Sequence, residues 1–284
     1  MTAPAPSSLL LAFDTSTPTA RVALFTAAGQ CLGLREKTAA RHSANLLALC
    51  DEVLRERGVK PADLEAIACG AGPGSFTGLR VGLAVAKGLA FPSARPLVLV
   101  SSLDALANDL LGQVATASAD VSSLPLLLPC IDAGKGQVYA RLYRESIDGV
   151  LAMGDADWVL TPADLCALAI DDARGQKLVA GGTGVDRFID VFRPSLGEPA
   201  VIAAVAGPSA NAIARLARRR LQAGQHDDRG PARGHDPVTP LPDHAPAQAA
   251  APEAARHRAA GARGQRDGRG ARRRYLGRTR REAH

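Results

Sequence analysis

A glycine-rich segment, GPGSFTGLRVG at residues 72–82, joins an apolar strand pattern to a helical pattern. Backbone N–H groups in such a loop can bind an anion, and glycine also allows a helix to pack closely on a sheet. The spacing of Gly72, Gly74 and Gly78 is not that of a dinucleotide-binding loop. Leu79 follows Gly78 where a P-loop requires lysine. A phosphate-binding loop and a structural turn are therefore both compatible with these three glycines.

Two other segments have residues that can contact a phosphate or a metal ion. Asp14, with Ser16 and Thr17, directly follows the apolar segment at 9–13. A carboxylate there can hold Mg²⁺, or the side chains of this turn can satisfy backbone N–H groups. A later apolar segment ends in a glycine turn, which contains Gly181, Gly182 and Gly184. These six residues are candidates for nucleotide binding, with a structural turn as the alternative at each place.

Histidine, a common metal ligand and catalytic base, is nearly absent from the first 220 residues. His42 is the only one there, and no His, Cys or Asp stands at metal-ligand spacing from it. A serine protease needs a serine, a histidine base and an orienting acid, whereas this single histidine stands beside Ser43. The H-E-x-x-H motif of zinc peptidases is missing. The sequence therefore predicts no metal site, and we interpret His42 as a helix-start or interface residue.

The positive charge of the chain is confined to its C-terminal part. Residues 221–284 contain 13 Arg and 7 acidic residues, so their balance of 13 − 7 = +6 equals the net charge of the whole chain. Residues 1–220 contain 21 basic and 21 acidic residues and are neutral. The net charge therefore gives no argument that the folding part binds nucleic acid.

Cysteine usage and hydropathy predict a cytoplasmic protein. The five cysteines form no C-x-x-C pair and are typical of buried free thiols in a reducing compartment. The first ten residues lack the basic segment of a signal peptide. No apolar run approaches the ~20 residues of a membrane-spanning helix. We therefore expect no membrane contact.

One strand pattern occurs twice in the chain. The apolar segment at 9–13, its aspartate turn and a strand at 21–27 have counterparts at 126–132 and 138–143. Such a repeat predicts a duplicated domain. Helical and strand patterns follow each copy, which favours an α/β fold of two RNase H-like lobes, as in the actin, sugar-kinase and Hsp70 (ASKHA) superfamily.

The repeat sets the predicted domain limits. We expect a first lobe at 1–105, a second at 106–207, and a helix at 208–220 that packs back on the first. Residues 222–284 contain no Ile, Phe, Trp, Cys, Met or Lys, and such a basic, Arg/Ala/Gly/Pro-rich segment is expected to be disordered. Three interpretations of this tail are open: an RNA-binding segment, an inert segment, or out-of-frame translation of a GC-rich gene.

Two helical patterns have apolar faces that require a cover. The first, at 42–57, is amphipathic, whereas the second, at 77–91, is apolar on nearly every side and has only Arg80 and Lys87 as charges. A helix that is apolar all round must be covered on both sides. The sheet can cover one side of the second helix, so the first helix or a partner must cover the other.

The order of these segments resembles the TsaB (YeaZ) family. These proteins are accessory subunits of the bacterial machinery that adds a threonylcarbamoyl group to adenosine in tRNA. The resemblance covers about residues 9–220 and rests on FDTST at 13–17, HSANLL at 42–47, the glycine-rich segment, and AKGLA at 86–90. It implies the ASKHA fold already favoured by the repeat.

The resemblance also implies a function and a set of partners. The chain would be a non-catalytic scaffold that dimerises with and stabilises the catalytic TsaD subunit, acts with the ATPase TsaE, and forms a homodimer when alone. It would reach tRNA through the complex, and ATP and a metal are expected in the partner subunits rather than here. The implied partner-binding residues are His42, Asn45, Leu46, Leu49, Val53, Leu79, Leu83, Ala86 and Lys87.

One departure from the catalytic relative supports this role. TsaD has a His-x-x-x-His metal motif after the strand that corresponds to 96–100, and the aligned residues here are Ser102 and Leu106. Neither side chain can replace an imidazole ligand. The six nucleotide-binding candidates are then implied to be vestigial, and the glycine-rich segment to be structural. The alternative is an independent actin-fold ATPase or a peptidase, which a histidine pair or a complete phosphate loop would favour.

Overall fold

The computed structural model describes five segments of the chain: 9–38, 46–115, 125–146, 149–197 and 200–229. All of them belong to one compact unit, Met1–Ala249. His42, Asn45 and the predicted tail from residue 230 onward lie outside the described residues. Within the described segments, no helix has the length and apolar character needed to cross a membrane.

The first lobe is built on a six-stranded sheet with the spatial order β13-β5-β4-β1-β2-β3. Strands β1, β4 and β5 are parallel, and β2 and β3 extend the sheet in antiparallel pairing. The parallel strands are almost wholly apolar because both of their faces are covered. The six strands are β1 (Leu9–Asp14), β2 (Thr19–Phe25), β3 (Cys31–Thr38), β4 (Leu64–Gly70), β5 (Pro96–Val100) and β13 (Asp228–Arg229).

The second lobe has a seven-stranded sheet whose main path is β10-β7-β6-β11-β12. Again the first strand has an antiparallel neighbour on one side and parallel neighbours on the other. Apart from the hairpin β8–β9 in this lobe and β13 in the first, the two strand orders correspond, which fits the predicted two-lobed ASKHA fold. The strands are β6 (Leu126–Gly134), β7 (Gln137–Ala140), β8 (Tyr143–Ser146), β9 (Gly149–Ala152), β10 (Trp158–Leu160), β11 (Leu178–Gly181) and β12 (Val201–Ala203).

Within the described segments, seven α-helices connect and cover these strands, and several begin at recognisable capping residues. The hydroxyls of Ser75, Thr161 and Ser209 each accept a hydrogen bond from a backbone N–H in the first turn of the following helix. The helices are α1 (Leu46–Arg55), α2 (Phe76–Ala90), α3 (Ser102–Ala115), α4 (Pro162–Ala173), α5 (Thr183–Arg187), α6 (Ile189–Leu196) and α7 (Ala210–Gln222).

The two faces of the first sheet bury different helices. Helices α1 and α2 pack on one face, and α7 packs on the other through alanines and Ile213. Helix α3 places Ala105 in that second cluster and Leu103, Leu106 and Leu110 against the second lobe. Helix α3 thus joins the cores of both lobes. Four of the five cysteines are buried as expected, whereas Cys31 is exposed on the edge strand β3.

The predicted single strand at 138–143 is interrupted in the structure. Strand β7 ends at Ala140, and β8 begins at Tyr143. Both segments pair with β6, but β7 pairs with its C-terminal part and Tyr143 pairs with Leu127. Residues 141 and 142 therefore interrupt the strand, and the apolar pattern in the sequence does not reveal this interruption.

The folded part continues past the composition change at Gln222. The backbone N–H of Asp227 donates to the carbonyl of Leu97 (2.9 Å), and the N–H of Leu99 donates to the Asp227 carboxylate (2.7 Å). Arg220 forms an ion pair with the same carboxylate (3.1 Å). The prediction of a disordered tail is therefore corrected for residues 222–229, because pairing with the edge of β5 uses backbone hydrogen bonds and needs no apolar side chains.

Candidate functional site

The carboxyl group of Asp14 lies at the end of β1 and is completely buried. One carboxylate oxygen accepts hydrogen bonds from the backbone N–H (2.9 Å) and hydroxyl (2.6 Å) of Ser16. The other oxygen accepts the hydroxyl of Ser102 from α3 (2.8 Å). Burial raises the pKa of Asp14, while the hydrogen bonds from Ser16 and Ser102 lower it and offset part of that rise. Asp14 therefore connects β1, its own turn and α3.

The glycine-rich segment lies directly against this turn. The N–H of Ser75 donates to the carbonyl of Ser16 (2.7 Å), and the hydroxyl of Thr15 donates to the carbonyl of Gly78 (2.9 Å). A Cβ atom on Gly74 would lie 2.3 Å from the Ser16 carbonyl oxygen, and one on Gly78 would lie 2.1 Å from that of Thr15. Only glycine fits at both positions, because the two backbones are in contact.

This geometry favours the structural interpretation of the glycine-rich segment. The N–H of Gly72 donates to the hydroxyl of Ser102 (3.2 Å), so this loop directs part of its polar backbone toward the protein's own chain. The exposed fractions of Asp14, Ser16 and Thr17 are 0 %, 2 % and 1 %, so all three residues are buried. Both oxygens of the Asp14 carboxylate already accept hydrogen bonds from protein groups. These residues do not fit a phosphate or Mg²⁺ ligand set, and they form a structural turn.

The second glycine turn is also explained by close packing. A Cβ on Gly182 would lie 2.4 Å from the carbonyl oxygen of Cys130, and one on Gly184 would lie 3.1 Å from the Cys130 Cβ. Gly181 is close to Leu110 and to the carbonyl of Ala203. The helix that follows, α5, has only five residues. The three glycines predicted as vestigial nucleotide ligands thus place β11 and α5 against β6.

The positions that replace the TsaD-type histidine pair have structural roles. Ser102 is buried and bonds Asp14 and the glycine loop. Leu106, one turn further along α3, is buried against the second lobe. Among the residues that the structure describes, no group of three His, Cys, Asp or Glu side chains could hold a metal ion.

Helix α2 has a buried side made of small residues and an outer side that is apolar and exposed. Gly78, Gly82, Ala86 and Ala90 recur every four residues and face the sheet. This spacing allows the helix to lie close to β4 and to Thr15. On the outer side, Phe76 is 62 % exposed and Phe91, directly after the helix, is 50 % exposed. An exposed aromatic side chain thus lies at each end of α2.

The structure divides the predicted partner-binding residues into three groups. Leu46, Leu49, Val53 and Ala86 are at most 5 % exposed and belong to the core of the first lobe. We expected these four residues to contact a partner, but they pack in the core instead. The reason is that α1 and the inner side of α2 turn their small and apolar residues toward the sheet. Leu79, Leu83 and Lys87 are half-buried on α2 and remain available to a partner. His42 and Asn45 lie outside the described residues.

Other residues of this surface were not predicted as binding residues. Phe76 and Phe91 mark the ends of α2, and Leu47, 56 % exposed, lies on α1. The guanidinium of Arg80 stacks on the Phe76 ring at 3.9 Å from its centroid. The spacing of four residues between Phe76 and Arg80 was a usable signal, because such residues are neighbours on a helix. We define the α2 outer face by its exposed residues: Phe76, Arg80, Ala84, Gly88 and Phe91.

Fold and site together define a class of protein: a two-lobed α/β chain whose first-lobe aspartate turn is covered by its own glycine loop and whose apolar surface lies on α2. Comparison with known proteins places this class in a family. The family model described as TsaD: tRNA N6-adenosine threonylcarbamoyltransferase matches residues 35–220.

Individual relatives specify the branch of that family. The tRNA threonylcarbamoyladenosine biosynthesis protein TsaB of Escherichia coli is 31% identical over 66% of this chain and 76% of its own length. The TsaB protein of Haemophilus influenzae is 35% identical over 49% of this chain, and the match spans only 55% of its length. The structure of YeaZ from Pseudomonas aeruginosa superposes with a TM-score of 0.62 at 31% identity, covering 76% of this chain and 93% of that one. The chain therefore belongs to the TsaB (YeaZ) family.

Proposed function

We propose that this chain is a non-catalytic subunit of tRNA N6-threonylcarbamoyladenosine biosynthesis, which pairs with and stabilises the catalytic TsaD protein. The observation that carries the proposal is the α2 outer face, where the apolar side chains of Phe76 and Phe91 are 62 % and 50 % exposed and could be covered by a partner. The half-buried Leu79 and Leu83 on the same helix could add apolar contacts to those of Phe76 and Phe91.

The Asp14 turn supports the non-catalytic part of the proposal. An actin-fold ATPase needs a carboxylate that is free to hold a metal ion or a phosphate. Here both oxygens of Asp14 accept hydrogen bonds from Ser16 and Ser102, and the side chain is fully buried. ATP and the catalytic metal are accordingly assigned to the TsaD and TsaE subunits, and this chain is assigned no cofactor.

The remaining partners follow from the same assignment. The complex, rather than this chain alone, would contact tRNA, and the whole assembly would act in the cytoplasm. Without TsaD, the α2 outer face would be covered by a second copy of the chain. Apolar helix surfaces of this kind are stable when a partner removes them from water.

The test is sedimentation equilibrium of the purified chain with the TsaD protein of the same organism. Phe91→Asp places a charge at the end of the α2 outer face and should weaken pairing by roughly tenfold or more, about 1.4 kcal/mol. The matched control is Ile170→Asp on α4, because Ile170 is an equally large exposed apolar residue (44 %) on the second lobe. Circular dichroism of both variants checks that they fold.

Three results would contradict the proposal. Absence of any complex with the wild-type chain would remove the partner role. Threonylcarbamoyl transfer by the chain without TsaD would remove the non-catalytic role. Equal weakening by Phe91→Asp and Ile170→Asp would show that the pairing surface is not on α2.

A further inference from the structure

We propose that the exposed side of α7 contacts the phosphate backbone of tRNA, so that this chain itself contributes to holding the RNA. This rests on the proposed function, because pairing with TsaD brings the chain to tRNA. We define the α7 stripe by the four exposed residues of that helix: Asn211, Arg215, Arg219 and Gln222. They follow one another at intervals of four, four and three residues and therefore lie along one side of the helix.

Helix α7 is basic, although residues 1–220 as a whole are neutral. The helix contains four arginines and no acidic residue. Arg218 forms an ion pair with Glu65 of β4 at 2.7 Å. Arg220 forms one with Asp227 at 3.1 Å. These two arginines hold the helix against the first sheet, and the two that remain are those of the α7 stripe.

Arg215 and Arg219 have no comparable partner. Neither forms an ion pair with any of the described residues. Residues four apart are neighbours on a helix, and two like charges at this spacing destabilise it. Helix α1 shows the contrast, because its exposed Arg55 pairs with Asp51 four residues before it. The α7 stripe thus presents two neighbouring cations whose anionic partner is not among the described residues.

One carboxylate, that of Asp109 on α3, lies close enough to Arg215 to be influenced by its charge. Burial raises the pKa of Asp109, and the hydrogen bonds from Ser209 and the charge of Arg215 lower it. Its two oxygens accept the N–H (2.8 Å) and the hydroxyl (2.7 Å) of Ser209. Asp109 is therefore bound to the residue that caps α7, and the exposed Arg215 remains available to an external anion.

The composition of the α7 stripe favours RNA over a protein partner. The centre of a protein interface is apolar and rich in aromatic residues, whereas phosphate oxygens are contacted by Arg together with Asn and Gln. The stripe consists of Asn, Arg and Gln alone. None of the large apolar side chains that are exposed among the described residues lies on α7. Arg215 and Arg219 are about 6 Å apart along the helix axis, so one RNA strand can neutralise both.

The α7 stripe and the α2 outer face do not compete for space. Helix α2 packs on one face of the first sheet, and α7 packs on the opposite face. TsaD bound to the α2 outer face would therefore leave α7 uncovered. The chain can then pair with TsaD and contact the phosphate backbone of tRNA at the same time.

The test removes both charges of the stripe from the full-length chain. Fluorescence anisotropy of labelled tRNA gives the Kd of the complex with TsaD over a range of salt concentrations. The double variant Arg215→Gln/Arg219→Gln should raise this Kd roughly tenfold at physiological salt. It should also reduce the slope of log Kd against log salt by about 1.4 to 1.8, since each phosphate contact contributes about 0.7 to 0.9.

The matched control removes two exposed arginines of the second lobe. Arg174→Gln/Arg193→Gln changes the net charge equally and should alter the Kd by less than about twofold, because salt screens charges outside the contact. Residues 230–284 are present in every variant, so any binding by their arginines is common to all. Phosphate contacts carry no sequence information, and a tRNA that the complex does not modify should therefore show the same loss.

The outcomes separate this inference from the proposed function. Sedimentation equilibrium checks pairing with TsaD, and circular dichroism checks folding. Equal Kd values and salt slopes for wild type and the stripe variant, with pairing intact, would overturn the inference and leave the proposed function standing. Weaker binding of TsaD or TsaE with unchanged tRNA binding would show that the stripe faces an acidic protein, which also overturns it. If the wild-type chain does not pair with TsaD, the proposed function fails, and the same variants measured without TsaD decide whether the stripe contacts tRNA.

Discussion

Asp14 ends β1 of the first lobe and Asp132 lies near the end of β6 in the second, yet Asp14 is completely buried and the Asp132 side chain is 24 % exposed. Each follows a run of apolar strand residues, and in each lobe a glycine turn after the neighbouring parallel strand, β4 or β11, packs against that strand or its turn. In the first lobe, Ser102 at the start of α3 reaches over and bonds Asp14. The corresponding Ser209 at the start of α7 bonds Asp109 instead, and Asp132 is contacted by Thr183 and Arg187 of α5.

Asp132 is partly exposed and is held by hydrogen bonds of a different kind. It forms an ion pair with Arg187 at 2.6 Å, with side-chain exposures of 24 % and 57 %. Its second oxygen accepts the N–H of Gly134 in the turn (3.0 Å). The comparison shows that the duplicated strand order places an aspartate in a similar position in each lobe, but that Asp14 is held by Ser16 and Ser102 whereas Asp132 is paired with Arg187.

The largest difference between the lobes should be seen when each aspartate is removed. Asp14→Ala leaves the N–H and hydroxyl of Ser16 and the hydroxyl of Ser102 without their acceptor in a buried site, and should cost about 3 kcal/mol of unfolding free energy. Asp132→Ala removes a half-exposed ion pair and should cost about 0.5 kcal/mol. Chemical denaturation of both variants gives the two values. Equal losses would show that burial by Ser102 is not what distinguishes the two corners.

The second test concerns the glycine loop that covers Asp14. Gly78→Ala forces a methyl group against the Thr15 carbonyl oxygen, which is 2.1 Å from the ideal Cβ position, and should destabilise the fold by about 2 kcal/mol. Gly88→Ala on the same helix is the matched control, because its Cβ meets no atom within 4 Å. Removing glycine from a helix interior should stabilise it by up to about 1 kcal/mol. A stable Gly78→Ala variant would mean that the loop does not contact the Asp14 turn.

These contacts explain what could be predicted from the sequence and what could not. The segment at 72–82 was predictable as strand, loop and helix from local patterns, and its spacing excluded two known phosphate loops. Its role depended on the Ser16 carbonyl and on the hydroxyl of Ser102, which are distant in sequence. Contacts of that kind leave no local signal, so the choice between a ligand site and a structural turn required the structure.

The predicted interface shows the same limit on α1 and α2. The apolar positions of both helices were correctly identified as needing cover, but a pattern does not state which side meets the sheet. Leu46 is completely buried, and Leu47 beside it is 56 % exposed. The uniform apolar character of α2 concealed the alternation of small inner residues with large outer ones. We therefore expect Leu46→Asp to prevent folding of the first lobe rather than to weaken pairing.

The pH dependence of stability should differ between wild type and Asp14→Asn. Burial raises the pKa of Asp14 above its ordinary value of 3.8, so between that value and the folded-state pKa the folded chain keeps a proton that the unfolded chain releases. The contribution of Asp14 to stability is therefore lost as the pH rises through this window. Asparagine does not titrate, so the unfolding free energy of wild type relative to Asp14→Asn should fall as the pH rises. Other carboxyls are common to both proteins and cancel in the difference, and a constant difference would contradict burial of Asp14.

The edges of the two sheets give a smaller difference. Strand β13 adds a sixth strand to the first sheet, beside β5. In the second lobe the strand that corresponds to β5 is β12, and β12 is the edge strand of its sheet. Deletion of residues 223–284 removes the bonds of Asp227 to Leu97 and Leu99 and should cost about 1 kcal/mol. Deletion of 230–284 leaves these bonds in place and should change the unfolding free energy by less than about 0.5 kcal/mol. Equal effects would show that β13 adds no stability.

The same two deletions test the open interpretations of the C-terminal segment. If residues from 230 onward are inert or out of frame, the 230–284 deletion should modify tRNA with TsaD and TsaE as fast as the full chain at physiological salt. Most of the 13 arginines between 221 and 284 are removed, so non-specific RNA binding should fall, and this binding should be the part that salt weakens most steeply. Slower modification with TsaD pairing unchanged would instead support an RNA-binding tail. Residues 223–229 lead into and include β13 of the first sheet. A defect that is seen only with deletion of 223–284 is therefore caused by loss of β13 and not by loss of the tail.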